Sequence, residues 1–260
     1  MGNERVRDAI RDLDGDRPEL HLDDSPDPGM PQGTKWLLVT IFAVFGLQMT
    51  GLGPAIRHWF ALWPMVEIVD ADTGLTLKDS RFHFWQLLTY GLLHGSVLHI
   101  GFNAFGLWMF GSIVEQVWGA KRYLVYVVVC VIGAALTQQL VEILTAEVPT
   151  VHFSPRGWLM DETWKPTVGA SGGLFGVLLA FALMYPQKRL YLFGLIPAPA
   201  KPLVFAYGAV ELGLGLWNTL GKGGGAIAHF AHLGGMLFGL LLLLYWTNRL
   251  PVKPPPGKLL

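Results

Sequence analysis

Cysteine is nearly absent from this 260-residue chain: Cys130 alone, set within an apolar run, excludes an internal disulfide and leaves no cysteine-based metal site to build. Net charge is lacking as well, with 19 Lys and Arg against 19 Asp and Glu. No basic stripe stands out, so nucleic acid is excluded as an expected partner. Charge of either sign is scarce: 15% of residues are charged against 52% hydrophobic, and mean hydropathy is +0.42. Such a chain lives mostly in lipid.

The few charges are unevenly spread. Nine of the 19 acidic residues, from Glu4 to Asp27, fall within residues 1–35, together with Pro18, Pro26, Pro28 and Pro31. This stretch is expected to be a solvated, disordered cytoplasmic tail. Its acidity, and the lack of an apolar core followed by a small-residue cleavage site, speak against a secretory signal or an organellar transit peptide. The bacterial plasma (inner) membrane is then the expected location.

Beyond the tail, stretches free of Asp, Glu, Lys and Arg recur at about the 20 residues that a ~30 Å hydrocarbon core requires. They lie at 36–56, 82–114, 123–141, 166–187, 202–220 and 223–248 and predict one helix each, the second running roughly over 97–118 after a loop and the fifth interrupted by Glu211. The expected fold is therefore all-α: a polytopic, six-helix membrane domain over 36–248, followed by a short cytoplasmic tail at 249–260. Lys121 and Arg122, then Lys188, Arg189 and Lys201, then Arg249, Lys253 and Lys258 all fall on one side of such a bundle. That places both termini in the cytoplasm, although Arg57, Lys78 and Arg81 run against the rule. Two long external segments follow, 57–96 with Trp59, Trp63 and Trp85, and 146–168 with Trp158 and Trp164.

The fourth helix is short. A helix over 171–184, preceded by Gly169 and followed by Pro186, rises only ~21 Å. It must begin below the outer surface, under a cavity, because irregular backbone at membrane depth survives only against protein or water. Ser171 sits at that sunken start. Within Gly169-Ala170-Ser171-Gly172-Gly173 its hydroxyl is a candidate nucleophile, with N–H groups of the helix N-terminus available to an oxyanion. The alternative is a serine N-cap flanked by small residues for helix packing.

A serine nucleophile needs a base, and the sixth span offers His229 and His232. Gly235 and Gly239 form a small-residue face one turn beyond His232, and Gly172 and Gly176 repeat that spacing on the fourth helix. A close crossing there brings His232 towards Ser171. His229 has as its alternative a bond to water or backbone at the helix mouth. An H-x-x-H metal pair is a further option, disfavoured because no neighbouring carboxylate or cysteine is apparent. In the second span His99 and Asn103 are four apart on one face and can donate to a developing oxyanion, or else bond across helices; His94 lies just before them. Glu211 admits a proton relay, a third triad member, or a structural hydrogen bond with the acid protonated. The structural bond is the reading carried forward, with Glu115 a similar anchor.

Taken in order, Trp85-Gln86, His94, His99-x-x-x-Asn103, Gly169-x-Ser171-Gly172 and Ala231-His232-x-x-Gly235-x-x-x-Gly239 resemble the rhomboid family of intramembrane serine proteases over residues 82–245. The resemblance implies a six-helix bundle and a Ser171–His232 dyad without an aspartate. It implies an oxyanion hole from His99, Asn103 and the Ser171 N–H, and it prefers His232 over His229. Gly169, Gly172, Phe175, His94 and Gly235 become supporting residues, and no cofactor or metal is expected. Substrates would be transmembrane segments of other proteins. Phe175 occupies a position often held by tyrosine, Gln86 one held in some members by arginine, and Tyr90 one sometimes held by histidine. The rival classes are a catalytically inactive rhomboid-like protein that binds client helices, and a metal or haem protein built on His94, His99, His229 and His232. The first typically lacks the serine or the histidine, and the second predicts bound metal after purification.

Overall fold

A chain in hydrocarbon has no solvent to bond its N–H and C=O groups, so the charge-free stretches close their hydrogen bonds as helices. The computed structural model describes residues 29–65, 68–70, 76–78, 81–145, 150–154, 157–160, 166–192, 195–220 and 228–247. The acidic stretch through residue 28, Trp164, the glycine-rich run 221–225 and the tail 249–260 lie outside the described residues.

Helix α1 (Gln32–Gln48) begins before Trp36 and is followed by a short amphipathic helix α2 (Gly53–Phe60). A single turn α3 (Gln86–Thr89) continues as a 3-10 turn, Tyr90–Leu92, towards α4 (Val97–Trp118). Gly119, at φ +79°, reverses the chain into α5 (Ala120–Thr145). Then come α6 (Ser171–Met184), α7 (Ala200–Thr219) and α8 (His229–Trp246). By length and composition α4, α5 and α8 can each cross a membrane, while α6 is apolar but shorter. Large apolar side chains such as Phe42, Leu98, Phe102 and Leu144 are exposed on the outer faces of these helices. So continuous an apolar exterior belongs against lipid.

The all-helical expectation needs correcting between the helices. Strands β1 (Ile68–Asp70) and β2 (Thr76–Lys78) pair with each other, as do β3 (Thr150–Ser154) and β4 (Gly157–Met160). Val69 and Asp70 pair in parallel with Thr150 and Val151, so the order is β2-β1-β3-β4 and the two segments expected outside the membrane form one sheet. A hairpin of β5 (Arg189–Leu192) and β6 (Ile196–Pro199) links α6 to α7. A search for runs of about 20 apolar residues passes over strands this short.

At the centre, α8 packs against α5 and α6 through glycine. A Cβ on Gly235 would run into the Gly172 carbonyl oxygen, and one on Gly176 would lie 3.1 Å from the Gly235 oxygen. The backbones of α6 and α8 therefore touch, the geometry that small residues permit and larger ones forbid. Tyr126, fully buried, donates to the Gly176 oxygen at 2.9 Å and ties α5 into the same crossing.

Candidate active site

Four contacts fix the start of α6. Thr167 and Leu62 exchange backbone hydrogen bonds at 2.9 and 3.0 Å, and the Gly169 N–H donates to the Tyr90 oxygen at 3.0 Å. Tyr90 is itself buried and donates to the Val131 oxygen at 2.8 Å. Gly169 has φ +127°, a region few residues other than glycine adopt. A Cβ there would also fall 2.6 Å from His99 Nε2 and 3.6 Å from Asn103 Nδ2. The backbone entering α6 is thus pressed against His99 and Asn103 of α4.

The N-cap alternative for Ser171 is overturned. Ala170 occupies the N-cap without a side-chain cap bond, and Ser171 is the first helical residue. Its hydroxyl instead lies 2.8 Å from His232 Nε2 on α8. The close crossing at Gly172 and Gly235, less than one turn away on each helix, makes that distance attainable. Phe175 stacks flat on the His232 ring, centroids 4.2 Å apart and planes within 6°.

The other ring nitrogen of His232 has a partner that sequence reasoning left aside. Glu211 Oε2, on α7, lies 3.0 Å from His232 Nδ1 and 2.7 Å from His229 Nδ1. Glu211 and His229 are buried, and the His232 side chain is 12% exposed. His229 Nδ1 is therefore bonded to a carboxylate. The expectation that no carboxylate lies near the two histidines is likewise corrected. The signal for this was present, a lone carboxylate in an apolar span, but nothing in the spacing said which side chains it meets.

On α4, Ser96 caps the helix by accepting from the His99 N–H at 3.2 Å. Gln48, at the end of α1, brackets the backbone of His94: it accepts from the His94 N–H at 3.0 Å and donates to the His94 oxygen at 3.3 Å. The His94 and His99 rings meet edge to face at 5.1 Å. Asn103 is 3% exposed, and among the described residues its Nδ2 and both His94 ring nitrogens have no hydrogen-bond partner. Gln86 is buried and neutral; it accepts from the Trp63 N–H and donates to the Trp59 and Arg81 oxygens, holding the segment before α3 by hydrogen bonds of its side-chain amide.

A hydroxyl on one nitrogen of an imidazole, whose other nitrogen meets a carboxylate, is an arrangement able to move a proton off a nucleophile. Known proteins resemble the chain over the region that holds these residues. The Rhomboid domain family model matches residues 81–249, more than half of the chain. Rhomboid protease GlpG of Pectobacterium atrosepticum is 24% identical over 218 residues, 84% of this chain and 63% of that protein. Presenilin-associated rhomboid-like protein, mitochondrial, of Homo sapiens is 27% identical over 214 residues, 78% of this chain and 51% of its own. Rhomboid protein 1, mitochondrial, of Saccharomyces cerevisiae is 27% identical over 150 residues, 57% of this chain and 38% of its own. The chain thus spans less than two thirds of the length of each of these relatives. An apolar helical exterior and a domain match that runs from before α3 to beyond α8 lead to one conclusion: this is an integral membrane protein of the rhomboid family.

Proposed function

We propose that the chain is an intramembrane serine endopeptidase that hydrolyses peptide bonds in or near transmembrane segments of other membrane proteins. The observation that carries this reading is the 2.8 Å approach of His232 Nε2 to Ser171 Oγ, made between two helices that sit within an apolar bundle. In the proposed reaction His232 Nε2 takes the hydroxyl proton as Ser171 Oγ attacks the scissile carbonyl carbon. The carbonyl oxygen becomes an oxyanion, and the Ser171 N–H, Asn103 Nδ2 and His99 are its donors. The unpartnered Asn103 Nδ2 supports this role, since burying a donor without a partner costs stability and an oxyanion would supply the missing acceptor. The imidazolium then gives its proton to the leaving amine. Attack by water on the acyl-enzyme, with His232 again the base, releases the second product and restores the hydroxyl.

The same proposal includes the topology. Six spans, α1 and α4 to α8, form the membrane domain over 36–248, with 1–35 and 249–260 in the cytoplasm. The clustering of Lys121, Arg122, Lys188, Arg189 and Lys201 at one set of turns supports it. We place the protein in a bacterial plasma membrane; the bacterial GlpG relative aligns over more of the chain than either mitochondrial relative named above.

The test is cleavage of a single-span substrate by the purified protein in detergent, with EDTA throughout, comparing the unchanged chain with Ser171→Ala. Cleavage that survives EDTA and falls by at least about 10³-fold in the variant is the expected result. No cleavage of several substrates, with no labelling of Ser171 by a serine-reactive phosphonate, would put the client-binding reading first.

A further inference from the structure

We infer that Glu211 is a positioning residue for His232: its carboxylate selects the ring tautomer in which Nε2 is free to take the Ser171 proton. The inference rests on the protease reading and deepens it. An ionised carboxylate only accepts hydrogen bonds, so both nitrogens that meet Glu211 Oε2 must carry the proton. A neutral His232 protonated on Nδ1 bears its lone pair on Nε2, the atom 2.8 Å from Ser171 Oγ. The opposite tautomer would aim an N–H at the hydroxyl and could not act as base. Once the Ser171 proton has moved, the imidazolium faces the same carboxylate at 3.0 Å, which stabilises the charge that the attack creates.

Two further contacts make the geometry rigid. His229 donates to the same oxygen at 2.7 Å and holds Glu211 in place from the α8 side. Tyr207, one helical turn before Glu211 on α7, packs against Phe175 with centroids 5.1 Å apart, and Phe175 lies flat on the His232 ring. Helix α7 thus fixes the imidazole at its edge through Glu211 and at its face through Tyr207 and Phe175. A protonated Glu211 used only for packing predicts otherwise: an O–H donated to His232 Nδ1 would put the ring proton on Nε2, and one donated to His229 would leave the tautomer of His232 unset.

The experiment uses the full chain in detergent, labelled with 15N-histidine, with the His232 signals assigned by their loss in His232→Ala. Long-range 1H–15N correlation reads which ring nitrogen carries the proton, and steady-state cleavage with phosphonate labelling reads the reaction. The unchanged chain should show His232 protonated on Nδ1. Glu211→Gln, whose amide can donate to Nδ1, should shift His232 towards the other tautomer. It should also lower kcat roughly 10²- to 10⁴-fold with KM within about threefold, and slow the labelling in step. Glu211→Asp should recover part of the rate. A His232 protonated on Nε2 in the unchanged chain, or a Glu211→Gln protein with kcat within about threefold of normal, would overturn the inference. If Glu211→Gln fails to fold, the tautomer of the unchanged chain and the rate of Glu211→Asp decide. Cleavage that persists in Ser171→Ala and His232→Ala sinks the protease reading instead, and the ring spectrum still reports whether Glu211 sets the tautomer.

Discussion

Two buried carboxylates in the bundle meet opposite kinds of partner. Glu115, near the end of α4, accepts from the Gly33 N–H at 2.7 Å, the Thr34 N–H at 2.6 Å and the Thr34 hydroxyl at 2.8 Å. These lie in the first turn of α1, where N–H groups have no partner within the helix and the dipole favours an anion. Glu211 meets two imidazoles, one of which touches a serine hydroxyl. The two are almost equally buried, at 3% and 4% exposure, so burial does not tell them apart. The partners do. Backbone N–H groups never release their protons in the working pH range, so the charge of Glu115 can only hold two helices together. Imidazole protons move, so on the proposed mechanism Glu211 can act in the reaction.

The comparison breaks most sharply at a third buried polar group. Asn103→Ala removes a donor that has no partner among the described residues, so folding loses little with it. On the proposed mechanism kcat falls roughly 10²- to 10³-fold, or about 3–4 kcal/mol in the barrier, with the thermal midpoint nearly unchanged. Steady-state kinetics and a melting curve on one preparation check both halves. A variant that melts early and cleaves normally would make Asn103 structural, as Glu115 is.

Glu115→Ala should do the opposite. It strands two backbone N–H groups and a hydroxyl beneath α1, costing roughly 3 kcal/mol of stability at about 1 kcal/mol or more per abandoned group. Activity per folded molecule should stay within about threefold of normal, because none of these groups reaches Ser171. Chemical or thermal unfolding in detergent measures the first quantity, and phosphonate titration of active sites corrects the second. Glu115→Gln keeps an acceptor oxygen and should lose about half as much.

What the sequence disclosed divides along similar lines. The bounds of α4 and α6 follow from charge-free runs and from the glycines and proline that punctuate them. The crossing of α6 and α8 follows from Gly172, Gly176 and Gly235, because small residues at that spacing have few other uses in lipid. The partner of Glu211 did not follow. Its separation of 18 and 21 positions from His229 and His232 spans the end of one helix, a glycine-rich connection and the start of the next, and the register between two helices so joined has no sequence signature. The same holds for Gln48, whose grip on the His94 backbone bridges 46 positions. The strands escaped for another reason: runs of three to five residues carry too little periodicity to stand out.

The finest division lies within the Glu211 cluster, between two histidines on one oxygen. His229 makes the shorter bond, 2.7 Å against 3.0 Å, and is the more buried of the two, so distance alone would choose it as the principal partner. Its position argues otherwise, because only His232 has its second nitrogen on Ser171. His229→Ala should leave Glu211 bonded to His232 through the same oxygen, with one fewer restraint on its orientation. The expected loss is about tenfold or less in kcat, on the order of one hydrogen bond, with a stability cost of about 1 kcal/mol. His232→Ala, measured beside it, should leave almost no cleavage. Were the order reversed, His229 would be the base, and the 2.8 Å contact between His232 and Ser171 would be a packing contact rather than the path of the proton.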